Sequence, residues 1–378
     1  MSNPGDALFS EARSHGNPFR ATFLEEVRSM LDARRGESAA RREAFFRPSF
    51  ASLDAYAEST RPLHERVVQA LGWPLNGSPV APPEGDVMET LVAEDALGTI
   101  YRLQIPVLGP LHCYGLYFVP KGDGPFRLVI SQHGGLGKPE ETAGLFDTAN
   151  YNHMTRRIVE RGYAVFAPQL LLTWDEEFGP KYDQQELDIA FKQVGGSMAA
   201  LQIYMIQRAL DVLLCRKEIE GPGAAMVGLS YGGFYTLAAT ACDARIRTAV
   251  SSCFINDRLK YGWQDWTWFD SANHFLDREW CALVCPRPLY LEAGRRDDLF
   301  DIATAREAGA SAGEIYGKLQ IADRFAFEEF DGTHEFNPGN TPLDFLVKHF
   351  PPRYQAPALV MPDFSVGSAG GGAVRLPR

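Results

Sequence analysis

One pentapeptide restricts the fold of this chain more than any other stretch: Gly228-Leu229-Ser230-Tyr231-Gly232. The apolar run Ala224 to Val227 leads into it and reads as a strand, and Tyr235 to Cys242 leaves it as a helix. Gly-x-Ser-x-Gly between a strand and a helix is the pattern of a nucleophile elbow, a turn sharp enough to lift the serine hydroxyl clear of a sheet. Side chains at Gly228 and Gly232 would collide with neighbouring backbone in such a turn, so glycine fits there. The motif is short, and it gains weight only from partners elsewhere in the chain.

Those partners belong just after late strands, because catalytic groups in open α/β sheets gather beyond the carboxyl ends of the strands. A serine hydroxyl needs a base to take its proton, commonly a histidine held by a carboxylate. Leu289 to Ala293 reads as a strand and runs into Gly294-Arg295-Arg296-Asp297-Asp298. Phe325 to Phe330 runs into Asp331-Gly332-Thr333-His334-Glu335-Phe336. Ser230, Asp297 and His334 are therefore the candidate nucleophile, acid and base. Asp297 is preferred to its neighbours Asp298 and Asp301, which suit helix caps. For the oxyanion, the backbone N–H of Tyr231 is one candidate donor. Gly134 or Gly135, in the His133-Gly134-Gly135 loop after the strand Arg127 to Gln132, supplies the other. His133 reads as a brace for that loop.

Around these motifs the chain divides into three. Residues 1–85 are expected to form a helical region packed on the main domain, with apolar residues at helical spacing in Phe23 to Leu31 and Leu63 to Leu71. Ala39 to Phe46 is a further helix and Ser52 a cap. Residues 86–355 alternate strands and helices after an antiparallel opening, which predicts a mostly parallel central sheet covered by helices. Residues 356–378, rich in glycine, are expected to be a mobile tail.

Charge and composition exclude several roles. The chain of 378 residues has a formal net charge of −11, which argues against nucleic acid and anionic membranes as partners. Its six cysteines lack paired spacing, and no histidine, cysteine or carboxylate cluster has metal-ligand spacing, so neither a metal nor a cofactor is expected. With no signal-like apolar core in the first fifteen residues and no membrane-length apolar run, the expected compartment is the cytoplasm. The expected partner is a small-molecule substrate, an ester if the family resemblance below holds, and a homo-oligomer is compatible with the sequence. Two stretches after strands, Leu170 to Glu177 and Tyr261 to Phe269, are candidate pocket walls. Trp174, Trp263 and Trp266 in them either stack on substrate or pack their loops onto the domain.

Taken together, the elbow, His133-Gly134-Gly135, Arg208-Ala209-Leu210-Asp211, Asp243-Ala244-Arg245-Ile246-Arg247, Pro286-Arg287-Pro288-Leu289 and Gly332-Thr333-His334-Glu335-Phe336 resemble the serine α/β-hydrolases of the dienelactone-hydrolase and acetyl-xylan-esterase type. The resemblance spans roughly Val119 to Phe350. It implies an α/β-hydrolase fold, a Ser230–Asp297–His334 triad, and cofactor-free hydrolysis of a carboxylic ester. The elbow is also similar to that of prolyl-oligopeptidase-type peptidases, whose large propeller the first 85 residues are too short and too helical to form. A helical amino-terminal region further resembles hydrolases that cleave carbon–carbon bonds in ketonic substrates. A non-catalytic binding protein on the same fold is a fourth reading.

Overall fold

The computed structural model describes residues 8–77, 85–172, 182–262 and 266–353. Nine strands form one sheet, in the order β1-β2-β3-β5-β4-β6-β7-β8-β9. They are β1 (Met88–Glu94), β2 (Gly98–Leu108), β3 (Leu111–Pro120), β4 (Phe126–Gln132), β5 (Ala164–Pro168), β6 (Ile219–Leu229), β7 (Ile246–Ser252), β8 (Leu289–Gly294) and β9 (Phe325–Phe330). The β1 to β3 meander is antiparallel and joins β5 antiparallel, whereas β4 to β9 run parallel.

Strands β4 to β8 are largely buried because their residues feed two cores, one on each face, whereas β9 at the sheet's edge is half-buried. On β4 and β6, Leu128, Ile130, Ala224 and Met226 enter one core. Val129, Ala225 and Val227 enter the other. This period of two is what a strand covered on both sides requires. The helices are α1 (Asn17–Gly36), α2 (Ser38–Phe45), α3 (Leu53–Leu71), α4 (Pro139–Thr142), α5 (Met154–Val159), α6 (Gln184–Gln193), α7 (Met198–Leu213), α8 (Tyr231–Cys242), α9 (Ser271–His274), α10 (Asp277–Val284), α11 (Ile302–Lys318) and α12 (Thr341–His349). Residues of α3, α7, α8, α10 and α11 fill the first core. Residues of α5 and α12 fill the second.

The amino-terminal helices differ in how they meet this body. Ser52 caps α3 by accepting from the Ala55 N–H, and the helix continues through Pro62 as one element where the sequence pattern suggested two. It is fastened by Tyr56, whose hydroxyl donates to the Ala282 carbonyl at 2.8 Å, and by the Leu71 carbonyl, which accepts from Ser197 Oγ at 2.7 Å. Arg42 on α2 pairs with Glu279 at 3.0 Å. By contrast α1 buries none of its residues, so the apolar spacing of Phe23 to Leu31 does not pack on the domain as expected. No helix among the described residues is long and apolar enough to cross a membrane. The expected tail lies outside the described residues.

Candidate active site

The elbow is built where β6 meets α8. Ser230 takes φ 60° and ψ −122°, a conformation costly for a residue with a Cβ and held by its surroundings. Its N–H donates to the Ser252 carbonyl at the end of β7 (2.9 Å), and its carbonyl accepts from Phe234 N–H (3.0 Å) to start α8. A Cβ on Gly232 would sit 2.3 Å from the Gln132 carbonyl oxygen, so the turn closes only with glycine there. Ser230 is 8% exposed, leaving its hydroxyl at the edge of the buried body.

The candidate acid and base meet. Asp297, following β8, receives His334 Nδ1, following β9, at 2.8 Å. Its other carboxylate oxygen accepts from the backbone N–H groups of Leu299 (2.8 Å) and Phe300 (3.0 Å), which fix its rotamer. Asp298 is exposed, and Asp301 caps α11 by accepting from Ala303 and Thr304 N–H. With Nδ1 engaged, Nε2 is the imidazole nitrogen left for chemistry. The histidine loop is anchored by Asn150, whose side chain donates to the His334 carbonyl (2.9 Å), and by Asn152, which donates to Phe336 (2.6 Å).

Ser252 and Cys253 join the two halves. The Ser252 carbonyl holds the Ser230 N–H, while Cys253 Sγ donates to the Glu335 carbonyl at 3.3 Å. Cys253 has φ 46°, a second strained residue beside the elbow. One donor atom each from Cys253, Asp297 and His334 lie within 4.8 Å of one another, so folding creates a potential metal-ligand trio that sequence spacing did not. The pairing of His334 with Asp297 occupies two of these groups. Burial, followed by the charges of Asp297 and Glu292, pushes the Cys253 thiol well up and keeps it protonated.

The glycine loop separates its two candidate donors. Gly134 N–H already donates to the Tyr151 hydroxyl at 2.8 Å, so of the two candidates this one is engaged within the protein. Gly134 instead permits close approach, since a Cβ there would stand 3.0 Å from Ser230 Cβ. His133 is fully buried, and its Nε2 accepts from Leu170 N–H (3.0 Å), so its Nδ1 carries the proton toward the Gly134 carbonyl (2.8 Å). Burial lowers its pKa to about 4, so this histidine is a neutral brace. Tyr231 opens α8, whose amino-terminal dipole favours negative charge nearby.

The candidate pocket walls fare differently. Trp266 is completely buried, edge-on to Tyr231 at 4.5 Å and against Phe254 at 5.1 Å. It therefore packs its loop onto the domain against the residue after Ser230, the second of the two roles expected of it. Trp174 and Trp263 lie outside the described residues. One residue near the site was not singled out from the sequence: Glu292 on β8. Its Oε1 accepts from Ser252 Oγ (2.7 Å) and Asn337 N–H (3.2 Å), tying the elbow's support to the histidine loop. A lone carboxylate inside Leu289-Tyr290-Leu291-Glu292-Ala293 was the available signal, since a strand buried on both faces rarely carries one.

No protein-family model matches the chain. The Bacillus subtilis protein named "Putative hydrolase YtaP" is 28% identical over 232 residues, covering 54% of this chain and 76% of that protein. Among solved structures, the methylesterase BT1017 superposes with a TM-score of 0.60 at 17% identity, covering 85% of this chain and 69% of that one. A glucuronoyl esterase from Solibacter usitatus gives 0.57 at 15% identity, covering 82% and 100%. The chain has the α/β-hydrolase fold. In this α/β-hydrolase fold Ser230, Asp297 and His334 follow β6, β8 and β9, all at the carboxyl ends of parallel strands. That is the sheet edge where such folds place their ligands.

Proposed function

We propose that the protein is a serine hydrolase that cleaves a carboxylic ester through an acyl-enzyme. The observation that carries this reading is the His334–Asp297 pair at 2.8 Å, set on the same sheet edge as the strained Ser230. In the proposed cycle His334 Nε2 takes the Ser230 hydroxyl proton as Oγ bonds to the ester carbonyl carbon. Tyr231 and Gly135 N–H groups receive the charge on the carbonyl oxygen. The tetrahedral species collapses, the C–O bond to the leaving alcohol breaks, and that alcohol takes the proton from His334. Water, deprotonated by the same imidazole, then releases the acid and restores Ser230. Asp297 holds the imidazole tautomer and stabilises the imidazolium without taking the proton itself.

The relatives named as esterases and as a hydrolase support the ester class over the alternatives. The test is hydrolysis of aryl esters of increasing acyl length, alongside an aminoacyl anilide, by wild type and Ser230→Ala. Ester turnover should fall by roughly 10⁴-fold or more in the variant. Anilide turnover would transfer the assignment to peptidase chemistry. Undiminished ester turnover by Ser230→Ala would refute the serine mechanism.

A further inference from the structure

We infer that α1 is a dimerisation arm whose apolar face is covered by a second copy of this chain. The helix runs for 20 residues without burying one. Phe19, Phe23, Leu24, Met30 and Leu31 are 78%, 67%, 47%, 62% and 47% exposed. With the half-buried Val27 they fall within an arc of roughly 140° at the 100° per residue of an α-helix. Leu8 and Phe9, 97% and 88% exposed, precede the helix.

The size of this surface says what fits it. At about 150–250 Å² per phenylalanine, Phe9, Phe19 and Phe23 alone leave on the order of 400 Å² in water. The leucines and Met30 bring the total to on the order of 800 Å². The largest apolar patch on a typical monomer is roughly 300–600 Å². A standard protein interface removes about 800 Å² from each partner. A two-fold pair of arms would supply that area from both sides with the same residues, as isologous contacts do.

The arm is also held in place in advance. Glu37, at the joint between α1 and α2, pairs with Arg41 at 2.7 Å and Arg34 at 3.4 Å. On α2, Arg42 donates to the Ala272 carbonyl at 2.5 Å, and Phe45 packs on His274 with ring centres 4.3 Å apart. An arm fixed at its root loses little freedom on association. The overall charge of −11 disfavours an anionic bilayer, although α1 itself carries four arginines against three carboxylates, with Arg20 and Arg34 inside the apolar arc.

The experiment is light scattering during size exclusion of the full chain, from about 1 to 50 μM, with wild type and Phe19→Glu/Phe23→Glu/Met30→Glu. Wild type is expected to elute as a dimer. In the triple variant the dissociation constant should rise at least about 100-fold, with unchanged labelling by a fluorophosphonate probe and a melting temperature that no longer rises with protein concentration as that of dimeric wild type does. Because the three side chains touch little of their own chain, a variant that melts below wild type diluted to its monomer would itself count against the exposed-arm geometry. A wild type that stays monomeric throughout, or a triple variant that dimerises equally, overturns the proposal. So does flotation of a monomeric wild type with phosphatidylcholine/phosphatidylglycerol vesicles that the triple variant loses, which would make a lipid surface the occupant.

Discussion

Replacing Glu292 with glutamine isolates a buried carboxyl whose ionisation the fold disfavours. The carboxyl is completely buried on β8. One oxygen accepts from Ser252 and Asn337, but Oε2 has no hydrogen-bond partner among the described residues. Glu328 stands opposite in register on β9 and adds like charge. Burial, the largest influence, raises the Glu292 pKa from 4.5 to about 7 against the opposing pull of Ser252 and Asn337. The folded-state value is therefore above the unfolded one. Between those values the native chain holds a proton that the unfolded chain has released. The contribution is fully present below the unfolded pKa and is lost as pH rises through the folded one, a change of about 3 kcal/mol.

Glutamine keeps an acceptor oxygen for Ser252 and Asn337 and cannot ionise. Urea unfolding of wild type and Glu292→Gln, followed by tryptophan fluorescence from pH 5 to pH 8, measures the difference. Histidines titrate in both proteins and cancel. The variant should gain on wild type by about 3 kcal/mol across this range, or about 1 M in midpoint for a slope near 3 kcal/mol per molar. Glu292→Ala should instead be destabilised at every pH, because two donors lose their acceptor at about 1–3 kcal/mol each. Parallel pH curves for wild type and Glu292→Gln would refute the assignment of a buried carboxyl that titrates near neutrality.

Other perturbations separate the proposed roles. Asp297→Asn should lower ester kcat by roughly 10⁴-fold while leaving the melting temperature near that of wild type, checked by steady-state kinetics beside calorimetry. Gly134→Ala places a methyl 3.0 Å from Ser230 Cβ and 2.9 Å from the Leu229 carbonyl oxygen. It should reduce kcat by about 10²-fold, and wild-type kcat would show that the loop is not held against Ser230. Trp266→Ala should cost about 3–5 kcal/mol of stability as a core truncation. A raised KM with unchanged denaturation would return Trp266 to the substrate wall.

How much of this was legible in the sequence follows the range of each interaction. The elbow announces itself because the strand, glycines, serine and helix are neighbours in the chain, and β7 and β8 are runs whose burial sets their composition. The register that places Asp297 beside His334 is long-range, yet each residue could be sought after a strand because the parallel sheet fixes which ends converge. The choice between Gly134 and Gly135 needed Tyr151, whose hydroxyl meets Gly134 only after folding. Nor could α10 be anticipated: its N-cap is Leu276, an apolar residue, and Glu279 reaches back to accept from the Leu276 N–H at 3.1 Å. Periodicity alone also could not say what Trp266 or α1 would touch. Tryptophans in a polar-looking loop became core, whereas the helical stripe of α1 found no core behind it.

The same contrast explains how the site is supported. Ser252 holds the Ser230 N–H with its carbonyl and Glu292 with its hydroxyl, while Glu292 also takes Asn337 N–H from the histidine loop. Ser230 and the His334 loop are thus referenced to one point between β7 and β8. A carboxyl protonated below about 7 can serve there, because its hydrogen bonds need acceptor oxygens rather than charge. This gives Ser252→Ala a specific signature. It removes the donor to Glu292 but leaves the carbonyl that holds Ser230, so the fold should survive. The opposing pull of that hydroxyl on the Glu292 pKa is lost, and the midpoint of the pH-dependent stability change should move upward. Urea unfolding across pH reads this directly. An unmoved midpoint would mean that Ser252 does not stabilise the Glu292 carboxylate.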